Sequence, residues 1–151
     1  GVDLLTRAVG DRIGMYGLSQ GGMSALYLPA LDVRVKASVS SAYFNWRFVK
    51  LIGPTRATCY LDWTDEGQFF SDVVRCFSDC DVVSLIAPRA FAVEAGVHDG
   101  AVDFEKAYAE FERARVHYDR LAISNKVEFI GHAEGHVSAT RRAMEFLEQN
   151  I

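Results

Sequence analysis

The pentapeptide Gly17-Leu18-Ser19-Gln20-Gly21 has a pattern that suits nucleophilic chemistry. It follows run 12–16, which suits a short buried strand, and precedes the small and apolar run 22–28, which suits a helix. A Gly-x-Ser-x-Gly sequence in this setting is typical of a sharp strand-to-helix turn that exposes the serine hydroxyl. We expect glycine at both ends because side chains there would collide across so tight a turn. The alternative is a glycine-rich turn with an incidental serine.

Two loops later in the chain carry residues that could complete a nucleophilic site. A serine hydroxyl is a poor nucleophile until a base takes its proton, and the base must be oriented by an acid. Asp99 follows the apolar run 90–95, and His136 follows the run 126–130. The carboxyl ends of parallel strands share one edge of a sheet, where sites form. The sequence therefore predicts that these two loops, which also hold His98, His132 and Glu134, supply an acid and a base at the edge that carries Ser19.

The segments that must position these residues alternate between strand and helix patterns, which indicates an α/β fold with a parallel sheet and helices on both faces. Pro29 is expected to kink or end its helix. Asp81 is expected to cap a short helix over 82–86, and Asp103 to lie at the start of the long helix. The predicted strands are 12–18, 35–40, 90–95 and 126–130, and the predicted helices are 2–9, 20–31, one or two within 69–86, 102–121 and 137–150, with an irregular stretch over 42–68.

Composition limits the class of protein. The chain has 151 residues, of which 50% are hydrophobic, as suits one packed domain. Its net charge of -4 comes without a cluster of lysine or arginine, so nucleic acid is not expected as a partner. No apolar run approaches the roughly 18 residues of a transmembrane helix, and no charged-then-apolar leader is visible. We expect a cytoplasmic protein without membrane contact.

The cysteines do not form a disulfide pattern, because Cys59, Cys76 and Cys80 are odd in number and irregularly spaced. Cys76 and Cys80 are four positions apart, which predicts that they share one helix face. No further ligands stand near them at a spacing that suits a metal. We expect free thiols in a reducing compartment, and neither a metal nor a cofactor.

As a set, the motifs resemble the C-terminal half of an α/β-hydrolase, closest to the dienelactone hydrolase and acetyl xylan esterase-like group. The chain order serine, aspartate, histidine is that of α/β-hydrolases. The likeness runs along nearly the whole chain and is least clear over 45–75. Besides the pentapeptide and Gly22, it is carried by Asp11-Arg12-Ile13-Gly14, Asp32-Val33-Arg34-Val35-Lys36-Ala37, Ile86-Ala87-Pro88-Arg89, Gly96-Val97-His98-Asp99 and Glu134-Gly135-His136.

The resemblance implies a role for each site residue. Ser19 would be the nucleophile, Asp99 the acid and His136 the base, and the backbone N–H of Gln20 would be one oxyanion-hole donor. It also implies that residues 1–151 are the C-terminal part of a single domain whose N-terminal half is absent from this chain. The strand before Ser19 would then form one edge of a sheet of four parallel strands, which a second copy or a partner chain could cover.

Other residues are candidates for the same roles. Glu94 lies within an apolar strand, where a carboxylate needs a partner, and is the alternative acid. His132 and His136 have the spacing of helical zinc motifs, although the glycines around them argue against a helix. His98 is expected to face solvent. Five aromatic residues after the second strand either line a substrate pocket or cap the core: Tyr43, Phe44, Trp46, Tyr60 and Trp63.

These observations favour a serine hydrolase that cleaves a small-molecule carboxyl ester through an acyl-enzyme. A peptidase is a near alternative, because the same three residues act on several kinds of acyl group. The alternative from another class is a non-catalytic half-domain remnant, or an interaction module that a partner chain completes.

Overall fold

The computed structural model describes residues 1–52, 73–139 and 141–151 of the chain. Within these ranges strands and helices follow each other in the predicted order. The strands are β1 (Ile13–Leu18), β2 (Val35–Ser41), β3 (Ala90–Gly96) and β4 (Val127–His132). The helices are α1 (Val2–Val9), α2 (Gln20–Leu31), α3 (Arg47–Ile52), α4 (Val73–Cys76), α5 (Asp79–Ile86), α6 (Phe104–Arg120) and α7 (Arg141–Glu148), with a 3-10 turn over Ser124–Lys126.

The four strands form one parallel sheet in chain order, β1-β2-β3-β4. Their carboxyl ends lie side by side, since Leu18 pairs with Ser41, Ser41 with Glu94, and Glu94 with Ile130. The predicted α/β class and the sheet of four parallel strands are confirmed. Among the described residues β1 pairs with β2 alone, so β1 lies at an edge of the sheet, as expected.

Each face of the sheet has its own hydrophobic core, because successive side chains of a strand point to opposite faces. Phe91 and Val93 of β3 pack into the core formed with α2, α5 and α6. Ala90 and Ala92 pack into the second core, which α7 covers with Phe146. Phe146 is 2% exposed, and burial of a side chain of this size contributes about 2 kcal/mol. Helices therefore cover both faces, as the alternating pattern predicted.

The start of α5 corrects two expectations. Asp81 does not cap a helix over 82–86: Ser78 is the N-cap, and Asp81 is the third helical residue. The Asp81 carboxylate accepts a hydrogen bond from the backbone N–H of Ser78 at 2.8 Å, as this position does in a capping box. The extended Ser78 also separates α4 from α5, so Cys76 and Cys80 lie on different helices and do not share one helix face.

The stretch predicted to be irregular over 42–68 is helical where α3 begins. Arg47, the first residue of α3, forms a buried ion pair with Asp79 at 2.6 Å. Asp79 also accepts a hydrogen bond from the backbone N–H of Asn45 at 3.0 Å. Burial raises the pKa of the Asp79 carboxyl, and the guanidinium of Arg47 acts against that rise. This pair fastens the segment after β2 to the N-terminus of α5.

Of the aromatic residues considered for a substrate pocket, Tyr43 and Phe44 are buried in the core. Trp46 is 44% exposed and is the one of the described three that faces solvent. Tyr60 and Trp63 lie outside the described residues. Tyr43 and Phe44 therefore pack in the core. Among the described aromatic residues, Trp46 alone remains a candidate for lining a substrate pocket.

The two helix-end signals behave differently. Pro29 does not end α2, which continues to Leu31. Asp103 is the N-cap of α6, and its carboxylate accepts a hydrogen bond from the backbone N–H of Lys106 at 3.0 Å. The prediction for Asp103 is therefore confirmed.

Candidate active site

Ser19 lies on the turn between β1 and α2 in a conformation that few serines adopt. Its φ of 59° and ψ of -117° lie outside the regions favoured by L-residues. Its N–H donates to the carbonyl of Ser41 at 2.9 Å, and its own carbonyl accepts from Met23 at 3.0 Å. A residue held in this way costs about 1–3 kcal/mol, and such residues cluster at functional sites. The turn is the strand-to-helix setting that the pentapeptide predicts.

Close packing explains two of the three glycines at this turn. A Cβ at Gly17 would lie 2.0 Å from the carbonyl oxygen of Gly21, and one at Gly22 would lie 2.5 Å from the carbonyl oxygen of Ser41. Gly21 differs from the expectation, because a Cβ there meets nothing within 4 Å beyond the backbone of its own helix. A side chain would therefore collide across the turn at Gly17 but not at Gly21. The positive φ belongs to Ser19 and not to a glycine.

Asp99 and His136 are joined directly. His136 Nδ1 lies 2.9 Å from Oδ2 and 3.0 Å from Oδ1 of Asp99. The Asp99 side chain is fully buried, and its Oδ1 also accepts from the backbone N–H groups of Ala101 at 2.7 Å and Val102 at 3.1 Å. These donors stabilise the ionised carboxylate, which can only accept. His136 Nδ1 therefore carries the proton in the neutral ring, and Nε2 is the nitrogen that can act as a base.

The loop that carries His136 packs against the end of β3. A Cβ at Gly96 would lie 2.4 Å from the carbonyl oxygens of both Glu134 and Gly135. The backbone N–H of His98 donates to the carbonyl of Glu134 at 3.1 Å. Glycine at position 96 therefore lets the loop after β4 lie on the loop after β3, which contains the aspartate.

Ser19, Asp99 and His136 follow the carboxyl ends of β1, β3 and β4, so all three belong to the predicted edge of the sheet. Within the described residues, the Ser19 hydroxyl makes no hydrogen bond to His136. Hydrogen bonds of this kind are often long in ligand-free sites and shorten when substrate binds. Gln20 is the first residue of α2, where the helix dipole favours negative charge.

Glu94, the alternative acid, is buried at 1% exposure, and among the described residues it hydrogen-bonds to Tyr16 and Ser41 and not to His136. Its Oε2 accepts from the Tyr16 hydroxyl at 2.7 Å and from the Ser41 hydroxyl at 2.5 Å. The Tyr16 hydroxyl is also in hydrogen-bond contact with Ser138. No sequence signal marks the two partners of Glu94, or Ser138. The one available signal was a glutamate inside an apolar strand, which must meet polar groups when buried.

The other histidines do not join the pair. His98 is exposed, as predicted. His132 is the last residue of β4 and His136 lies in the following loop, so the helical arrangement of a zinc motif does not occur. Residues 1–52, 73–139 and 141–151 contain no group of three or more His, Cys, Asp or Glu that could hold a metal. In the same ranges, every helix falls short of the length and hydropathy that crossing a bilayer demands.

No model of a protein family matches the chain. A curated protein of Bacillus subtilis strain 168, named "Putative hydrolase YtaP", is 27% identical over 144 residues, which make up 92% of this chain and 46% of the relative. The chain thus spans about half the length of the curated relative that it matches.

Several solved structures share the arrangement of strands and helices. A family 15 glucuronoyl esterase from Teredinibacter turnerae has a TM-score of 0.73 at 20% identity, with 98% of this chain and 43% of that chain covered. One from Caldicellulosiruptor kristjansonii has a TM-score of 0.72 at 21% identity, with 89% and 41% covered. The acylaminoacyl peptidase of Pyrococcus horikoshii has a TM-score of 0.71 at 14% identity, with 99% and 26% covered.

Likeness at this level of identity concerns the fold. These neighbours have the α/β-hydrolase fold, and the chain covers less than half of each of them. The parallel sheet, the strained serine turn after β1 and the chain order of the site residues agree with that fold. The chain therefore has the fold of one part of an α/β-hydrolase domain.

Proposed function

We propose that this chain is part of a serine hydrolase that cleaves small-molecule carboxyl esters. The observation that carries the proposal is the hydrogen bond between Asp99 and His136 at the sheet edge that also holds the strained Ser19 turn. The class of reaction is supported by a relative named as a hydrolase and by esterases and a peptidase of like fold. The two thiols of Cys76 and Cys80 are free, which supports a reducing, cytoplasmic location.

In the proposed reaction Ser19 Oγ attacks the ester carbonyl carbon while His136 Nε2 takes the hydroxyl proton. Asp99 holds the ring through Nδ1 and stabilises the imidazolium that forms. The backbone N–H of Gln20, at the N-terminus of α2, stabilises the negative charge that develops on the carbonyl oxygen. His136 then returns the proton to the departing alkoxide, which leaves as the alcohol. Water hydrolyses the acyl-enzyme by the same steps in reverse order.

The proposal also specifies that the enzyme cleaves esters in preference to amides. The same nucleophile, base and acid also cleave amides when a site binds a peptide, so a peptidase is the near alternative. Parallel assays of p-nitrophenyl acetate and of an acylated amino-acid p-nitroanilide distinguish the two. Preference for the anilide, measured as kcat/KM, would overturn the ester assignment while leaving the serine mechanism intact.

A fluorophosphonate probe tests the serine mechanism. We expect the purified protein to be labelled at Ser19 alone, and Ser19→Ala to abolish both labelling and ester hydrolysis. Ser84→Ala is the control, because Ser84 lies on α5 and its hydroxyl donates to the carbonyl of Asp81. Full turnover by Ser19→Ala, or labelling at another serine, would refute the assignment.

The second candidate is a non-catalytic module that a partner chain or a second copy completes. It is favoured by the surface beside β1, where the side chains of Leu4, Leu5 and Val9 on α1 are exposed by 71%, 47% and 52%. Large apolar side chains beside a sheet edge are typical of surfaces that pair with other protein. This candidate predicts a folded protein that the probe does not label, and sedimentation that shows an oligomer or a complex.

A further inference from the structure

We propose that Glu94 is a positioning residue which, through Tyr16 and Ser138, fixes the loop that carries His136. This inference rests on the proposed hydrolase function. It concerns a residue that contacts neither the nucleophile nor the base in the hydrogen bonds of the structure, and that acts through two other side chains.

The hydrogen bonds have a direction that the chemistry decides. The Tyr16 hydroxyl donates its single proton to Glu94 Oε2 at 2.7 Å. Burial raises the pKa of Tyr16, so the phenol keeps this proton over the ordinary pH range. The Tyr16 oxygen is then the acceptor for Ser138, whose hydroxyl donates. The chain of bonds therefore runs from Ser138 through Tyr16 to Glu94.

Glu94 is well placed to be the fixed end of this series of hydrogen bonds. It lies inside β3, is 1% exposed, and its Oε2 also accepts from Ser41 of β2 at 2.5 Å. Tyr16 stands on β1, so the carboxylate links three neighbouring strands on the face that α7 covers. Hydrogen bonds to a buried acceptor are stronger than those in water, because the protein interior screens charge less than water does. Ser138 is thereby attached, through Tyr16, to the buried carboxyl group at the centre of the sheet.

His136 lies between two attachments of its loop. On one side Glu134 and Gly135 pack against Gly96, and the Glu134 carbonyl accepts from His98 at 3.1 Å. On the other side, two residues after His136, Ser138 is held by Tyr16. The first attachment belongs to β3, as does the loop of the aspartate. The second ties the loop to β1, the strand that leads into the nucleophile turn.

The test removes single hydroxyl groups and leaves the fold in place. Tyr16→Phe and Ser138→Ala should each accelerate backbone hydrogen exchange in residues 133–139 by about threefold to tenfold, the value of one hydrogen bond. The rate of fluorophosphonate labelling at Ser19 and the kcat for p-nitrophenyl acetate should fall by a similar factor with KM unchanged, because His136 acts in the chemical step. In the double variant, the labelling rate and kcat should be no lower than in the more impaired of the two single variants. The reason is that both changes break the same hydrogen-bonded link between Ser138 and Tyr16.

Two controls separate positioning from stability. Tyr118→Phe removes a similar buried hydrogen bond, from the Tyr118 hydroxyl to the carbonyl of Arg89 at 2.7 Å, at the opposite end of β3. It should lower the melting temperature without altering loop exchange or kcat. Glu94→Gln keeps an acceptor for Tyr16 and Ser41, so it should rescue the kcat that Glu94→Leu lowers by about the same factor as Tyr16→Phe.

Each result of these experiments bears on a different part of the proposal. Unchanged exchange over 133–139 in both Tyr16→Phe and Ser138→Ala would overturn the attachment itself. Faster exchange with an unchanged labelling rate would overturn the positioning role and leave the hydrolase proposal standing. Failure of the parent protein to label at Ser19 would overturn the hydrolase proposal, and the positioning role of Glu94 with it. Loss of kcat in Tyr118→Phe would show that general destabilisation, and not the loop, controls the rate.

Discussion

Replacement of Asp99 by asparagine tests the acid with an almost isosteric change. Oδ1 of Asp99 accepts from the backbone N–H groups of Ala101 and Val102, so the amide oxygen of an asparagine must take that place. The amide nitrogen then occupies the position of Oδ2, which is 2.9 Å from His136 Nδ1. An N–H donor there favours the ring tautomer in which Nδ1 accepts and Nε2 carries the proton, because Nδ1 lies nearer to Oδ2 than to Oδ1 at 3.0 Å. In that tautomer the ring cannot take the proton of the Ser19 hydroxyl.

The expected loss is large, because the wrong tautomer removes the base altogether. In serine proteases the corresponding change lowers kcat about 10⁴-fold, or about 5 kcal/mol of transition-state stabilisation. Stability should change little, because both backbone hydrogen bonds survive and the amide still bonds to His136. The measurements are kcat for p-nitrophenyl acetate, the rate of fluorophosphonate labelling at Ser19, and the melting temperature.

Glu94→Gln is the matched comparison, since it makes the same chemical change at the neighbouring buried carboxylate. We expect Asp99→Asn to be folded and nearly inactive, and Glu94→Gln to be active with altered stability. A folded but inactive Glu94→Gln, together with an Asp99→Asn variant within tenfold of the parent, would show that Glu94 is the acid and refute this reasoning.

Two further predictions concern the glycine turn and the cysteines. Gly17→Ala should lower the free energy of unfolding in urea by about 3 kcal/mol or more, because its Cβ would overlap the carbonyl oxygen of Gly21 at 2.0 Å. Gly21→Ala should stay within about 1 kcal/mol of the parent, and equal effects of the two changes would contradict the steric account. Burial raises the pKa of the Cys80 thiol to about 12, so iodoacetamide at pH 8 should modify the exposed Cys76 and spare Cys80 until the protein is denatured. Peptide mass mapping measures both sites, and equal rates at the two thiols would contradict the prediction.

Much of the fold was predictable because its signals are local. The strand pattern before Ser19, the glycines around it and the helix pattern after it lie within about twenty residues, and all three predict the same turn. Strand and helix patterns then alternate along the chain, and alternation leaves few arrangements besides a parallel sheet. Once the sheet is parallel, the loops that carry Asp99 and His136 must reach the edge that carries Ser19.

The choice of N-cap for α5 could not be predicted from residue propensity alone. Ser78 and Asp81 are both good N-cap residues, and the structure uses the first as cap and the second as its partner at the third helical position. Either choice satisfies the first turn of a helix, so the sequence pattern does not distinguish them. The contact of Ser78 with Glu110 of α6, a partner 32 positions away, belongs to the packing of two helices.

The sequence by itself determined the turn, the order of the elements and the edge at which the three candidate residues gather, because each follows from patterns between near neighbours. Only the tertiary structure decided which distant polar groups form hydrogen bonds with one another. Tyr16 and Glu94 are 78 positions apart, and Tyr16 and Ser138 are 122 apart. No residue pattern connects positions so distant, since hydrogen-bond geometry depends on strand register and loop path. The same reason explains why Gly17 is sterically required and Gly21 is not: the distinction lies in which backbone atom each Cβ would meet.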